Sequence, residues 1–252
     1  KMASTSETGH PKNVANFENV VSFVIGYGAT YNPSKANLKV PALQTQLASC
    51  KANIASVTST SVAFNNAVNA RMIAFYGLRK LATRLVNALD ATAASAQAVK
   101  DLKTVNAKVQ GSKLTKADSG KTAKTIDPNA PVVDTPKTIS SAQLSYSSLI
   151  EHIATIITVL STEPTYVPNE TDLKVATLNT LLTNLKNTNT GVINAYTTVS
   201  NSRIARDQSL YNTTNGLCQT AKEIKMYVKS VYGATSPQYK QISGIEFKVV
   251  KV

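Results

Sequence analysis

The sequence predicts an all-α protein, arranged as two tandem up-and-down four-helix bundle repeats with long heptad-patterned helices and a pseudo-twofold relation between the repeats. Three observations predict it. Apolar residues recur at steps of three and four along most of the chain. Ten Gly and nine Pro in 252 residues are too few for a loop-rich sandwich or barrel. One half of the chain also repeats the other. At an offset of 135, 14 of the 46 positions from Tyr31 to Tyr76 are identical, among them Leu38, Lys39, Val40, Asn66, Ala70 and Arg71 over Leu173, Lys174, Val175, Asn201, Ala205 and Arg206. Residues 1–110 read as the first helical repeat, 111–138 as a Pro-, Lys- and Thr-containing linker, and 139–252 as the second repeat.

In chain order, Val14, Phe17, Val21, Val24 and Ile25 give a first amphipathic helix. Residues 34–40 read as a separate turn, because Pro41 suits a helix's first turn and restricts the residue before it. The long helix that follows carries a heptad stripe of Leu43, Cys50, Val57 and Phe64. Shorter helices are expected over Leu78–Asp90 and Ala96–Val109. In the second repeat Leu149, Ile153, Ile156, Ile157 and Leu160 mark the first helix. A long helix is expected from Asn169, a plausible N-cap after Pro168, to Asn212, about 66 Å at ~1.5 Å per residue. Its stripe is Leu178, Leu185, Val192 and Val199. Leu217–Val231 and Pro237–Lys248 complete the repeat, with Gly77 and Asn215-Gly216 at the bends. Residues 245–252, rich in β-branched side chains, are the one place where a strand would be expected.

An apolar content of 42% excludes disorder throughout, and the chain is basic, with 27 Lys+Arg against 14 Asp+Glu and a net charge of +13. Residues 1–110 hold +8 of this and residues 139–252 hold +3. Two cysteines cannot make a disulfide framework, so a reducing, cytoplasmic setting is expected, with an exported form whose signal has been removed left open. No run approaches 18 uninterrupted apolar residues, so no transmembrane segment is expected.

No nucleophile elbow, P-loop, dinucleotide-binding turn, HExxH or paired-Cys motif occurs, and no catalytic, cofactor-binding or metal-ligating residue is assigned. Cys50 lies on the heptad stripe and reads as a buried thiol. His10 and His152 lack ligand-like partners at helical spacing. Gly26-Tyr27-Gly28 reads as a helix end and turn, and Glu170 with Asp172 as carboxylates in a helix's first turn. Lys222, Lys225 and Lys229 share one helix face, and Arg79, Lys80 and Arg84 form a second cluster; both are candidate polyanion contacts. The repeated string Asn66-x-x-x-Ala70-Arg71 and Asn201-x-x-x-Ala205-Arg206 extends the stripes into arginine. A guanidinium there must be paired, bonded or solvent-reaching. Arg71, Arg206, Asn66 and Asn201 are therefore a candidate anion or register site, the register version pairing the arginines with Glu18, Asp90, Glu151 or Asp207.

Several strings resemble a group of duplicated helical proteins from flavobacteria and related Bacteroidetes. They are Gly9-His10-Pro11-Lys12-Asn13-Val14, Gly26-Tyr27-Gly28-Ala29-Thr30-Tyr31, Lys80-Leu81-Ala82-Thr83-Arg84-Leu85, Asn169-Glu170-Thr171-Asp172-Leu173-Lys174 and Tyr227-Val228-Lys229-Ser230-Val231-Tyr232. The resemblance spans nearly the whole chain and implies no activity, cofactor or catalytic residue.

These readings lead to a non-enzymatic structural or interaction protein that presents long helical surfaces to a protein partner or to itself. Polyanion (nucleic acid) binding through the basic helix faces is the alternative, and a membrane-active or cell-surface helical protein a weaker one.

Overall fold

The structure, a computed structural model, describes residues 9–111 and 144–249, and is all-α among them. The linker expected over 111–138 lies outside the described residues beyond Gly111. Helices α1 (His10–Gly26), α2 (Val40–Phe75), α3 (Leu78–Asp90) and α4 (Ala96–Gln110) are followed by α5 (Tyr146–Thr162), α6 (Val175–Tyr211), α7 (Leu217–Tyr232) and α8 (Pro237–Ser243). Serines 95, 145 and 236 cap α4, α5 and α8, each accepting a bond from the backbone N–H three residues on.

The chain forms two compact units, one made of residues up to Asn66 and from Ile193 onward, the other of Ala67–Val192. Each unit thus draws on both sequence repeats, whose expected boundaries at 110 and 139 do not mark the units. In the first unit, α1 buries Val14, Phe17, Val20, Val21 and Val24 against Leu43 and Cys50 of α2, Leu210 of α6, and Ile224 and Val228 of α7. In the second, α5 buries Ile150, Ile153 and Ile156 against Leu85 and Leu89 of α3, Leu102 and Val109 of α4, and Leu178 and Leu185 of α6. Each such side chain contributes about 1.5–3 kcal/mol.

Residues aligned at the offset of 135 behave alike. Tyr31 donates its hydroxyl to the carbonyl of Leu38 (2.9 Å), and Tyr166 donates to that of Leu173 (2.8 Å). Burial pushes the Tyr166 phenol up to about 12, with Glu170 and Asp172 adding to the shift. Both bonds close a 3₁₀ turn, Ala36–Leu38 or Thr171–Leu173.

Two expected boundaries are corrected. The second long helix starts at Val175, not Asn169, because Thr171–Leu173 is a 3₁₀ turn and Lys174 is extended (φ −65°, ψ 138°). At 37 residues it is about 55 Å long. Glu170 and Asp172 accordingly belong to this turn and not to the long helix. The last helix stops at Ser243 rather than Lys248, and residues 245–249 form neither helix nor strand. Side chains of the first unit hold them by the backbone. Asn13 donates to the Lys248 carbonyl (2.7 Å) and accepts from its N–H (3.1 Å), and Asn16 donates to the Glu246 carbonyl (2.7 Å).

Candidate functional site

In the second unit α2 ends at Phe75 and the chain turns through Tyr76 and Gly77, whose φ of +82° favours glycine, into α3. Three large apolar side chains stand in solvent here: Met72, Ile73 and Tyr76, exposed by 58%, 76% and 90%. Tyr76 borders an open cavity of about 370 Å³ that Leu78, Leu81, Leu178, Leu181, Lys80 and Arg84 also line. Arg84 bonds Asp172 through both terminal nitrogens, which holds the Asp172 carboxyl below its ordinary range. Arg79 and Lys80 are exposed and have no carboxylate partner among the described residues. Aligned at 135, the first unit carries Asp207, Gln208 and Tyr211 where the second has Met72, Ile73 and Tyr76. Its corresponding groove, about 750 Å³, has Ala42, Cys50 and Ala205 in its wall along with Thr45, Gln46, Ser49, Gln208, Ser209 and Asn212, and no leucine. One unit thus offers an exposed apolar, cationic corner where the other carries Asp207, Gln208 and a half-buried Tyr211. Sequence reasoning missed Met72, Ile73 and Tyr76; the available signal was three large apolar residues lying off the heptad stripe.

The two repeated arginines are each accommodated within their own unit. Arg71 lays its guanidinium 4.0 Å from the ring centre of Tyr146 and donates to Asn189 Oδ1 (3.1 Å), while its buried Nε has no partner among the described residues. Arg206 pairs with the adjacent Asp207 (2.8 Å), one of the carboxylates expected. Asp207 lies 3.9 Å from Nδ1 of His10, which is 2.8 Å from the Tyr211 hydroxyl. Burial, then Arg206, lowers the His10 pKa against the pull of Asp207. Asn66 and Asn201 are exposed.

The row of Lys222, Lys225 and Lys229 is divided by its surroundings. Lys225 turns inward and donates to the carbonyls of Ser243 (3.1 Å) and Ile245, with desolvation lowering its pKa. Lys222 and Lys229 stay exposed. Cys50 and Cys218 are buried, free thiols; burial raises both, Cys218 to about 11. Among the described residues no three His, Cys, Asp or Glu side chains converge to hold a metal, and no helix is long and apolar enough to cross a membrane.

No family model, curated protein or solved structure matches the chain. The corner of α2 and α3 differs from its aligned counterpart in exposed apolar area. A Tyr exposed by 90% beside Ile73 and Met72 leaves apolar area in water that its aligned counterparts avoid.

Proposed function

We propose that this chain is a non-enzymatic interaction protein whose partner-facing surface is the corner of α2 and α3. The exposed run of Met72, Ile73 and Tyr76, with Tyr76 bordering a leucine-walled cavity, carries the reading. Aromatic and aliphatic anchors next to a pocket are what interfaces use at their centres, and Arg79 and Lys80 suit a partner with carboxylates at its rim. The two repeats are read as duplicates related by a pseudo-twofold, in a soluble, cytoplasmic protein of the flavobacterial group. Replacing Ile73 and Tyr76 with Ser tests the surface. Wild type should sediment as a larger species at rising concentration, or a photo-crosslinker at position 73 should give a discrete adduct in cells. The Ser variant should lose the first, and a crosslinker at the exposed α4 residue Thr104 should not give the second. A single unassociated species with no adduct defeats the reading.

Polyanion binding rests on Arg79, Lys80, Lys222 and Lys229, exposed and free of carboxylate partners among the described residues. These four cations, two on each unit, would give a log–log salt slope of at most about −4 on duplex DNA even with all four on phosphates. That is weak retention at physiological salt, so the protein-interaction reading is preferred. A titration showing a steeper slope would reverse the preference.

A further inference from the structure

We propose that the two sequence copies recognise each other through a reversed set of charges, which makes each copy complementary to the other and not to itself. In the first unit the turn before α2 supplies the cation: Lys35 Nζ lies 2.7 Å from Glu223 Oε2 on α7. In the second unit the turn before α6 supplies the anion: Asp172, with Glu170 beside it, bonds Arg84 on α3. These positions correspond. Lys35 aligns with Glu170 at the offset of 135. Arg84 aligns with Glu223 at an offset of 139, set by Gly77-Leu78, Ala82 and Leu85 over Gly216-Leu217, Ala221 and Ile224, whose Leu, Ala and Ile side chains are buried in their own cores.

Every one of these pairs joins one copy to the other. If a copy met its own kind in the same geometry, Lys35 would face Arg84, and Glu170 and Asp172 would face Glu223. The neighbours reinforce the polarity. Lys80 lines the cavity with Arg84 and Asp172, whereas its counterpart Gln219 donates to Glu223 (3.2 Å). Tyr227, whose counterpart is Ala88, sets its ring edge-on to Tyr31 at 5.2 Å, a contact the first copy could not make with itself.

The same six residues account for the unequal charge of the halves. Lys35, Lys80 and Arg84 put +3 into the first copy, and Glu170, Asp172 and Glu223 put −3 into the second. Without them residues 1–110 carry +5 and residues 139–252 carry +6. Unlike charges favour the correct pairing while like charges penalise the wrong one, which is how closely related helices choose partners.

The test keeps both native pairs but makes the copies alike. In the full-length double variant Lys35→Glu, Glu223→Arg, both turns are acidic and both helices basic, so each unit retains its ion pair. Its melting temperature should match wild type. After refolding from urea at increasing concentration, the share recovered as dimers or larger assemblies should rise about threefold or more over wild type. The neutral variant Lys35→Gln, Glu223→Gln, which lifts the like-charge penalty but adds no attraction to the wrong pairing, should rise by clearly less than the charge-alike variant. Should the first variant not refold, the mirror variant Arg84→Glu, Glu170→Lys, Asp172→Lys, with basic turns and acidic helices, must show the same increase. The proposal is overturned if the charge-alike variant partitions like wild type, or if the neutral variant associates as much.

Discussion

His10 is held where protonation is unwelcome: part-buried at the start of α1, with Arg206 close by and its ring bonded to Tyr211. The unfolded imidazole takes up its proton near 6.5, the folded one at lower pH, so the unfolded state binds more protons in that interval. This contribution to stability is complete above about pH 6.5 and is lost as the pH falls through the folded value. Thermal melts between pH 7.5 and 5 should show a smaller acid loss for His10→Gln than for wild type; parallel curves would exclude the effect. None of this was readable at residue 10, because Arg206 and Tyr211 lie about two hundred positions away. The arginines show the same limit. Their place on the heptad stripe announced that each needed a partner, yet only the fold could choose a tyrosine face for Arg71 and a neighbouring carboxylate for Arg206.

Among the elements, the long helices owe their start to a turn that their periodicity does not describe. Tyr166 caps the carbonyl of the buried Leu173 and closes a 3₁₀ turn, after which Lys174 is extended and α6 begins. Tyr166→Phe leaves that carbonyl unpaired and should cost about 1–3 kcal/mol. The urea midpoint should fall with no change in slope, and an unchanged midpoint would show that water replaces the phenol. Helix identity was legible because the apolar period is strong: Leu178, Leu185, Val192 and Val199 are all buried. Helix ends were less so. Asn169 has the chemistry of an N-cap, but tertiary bonding of Tyr166 overrides it. At the other end Asn13, Asn16 and Lys225 take hold of backbone groups of residues 243–248 in place of the helical bonds expected there.

For the molecule as a whole, the decisive fact is which segments share a core. Residues 9–66 are completed by 193–249, and residues 67–111 by 144–192. A break in the backbone between Gly111 and Leu144 therefore leaves both resulting pieces represented in both cores. A protease site inserted after position 125 and cut should give two fragments that co-elute under native conditions and part only in denaturant. Early separation would contradict the shared cores. Identities at an offset of 135 mark segments as alike, but they do not say which of them meet. The pairing signal lay in the charges at positions 35, 84, 170, 172 and 223, and became legible only once α3 and α7 were set in register by their buried residues.

That shared construction bears on ancestry. If the repeat arose from a single-copy forebear, that chain would have closed such cores by joining an identical partner, and its one sequence would have had to carry a turn and a helix whose charges suited each other. Fusion of two such genes would release that restriction. Charges could then be set in opposite senses on the two halves, so that each half suits the other and not a second copy of itself.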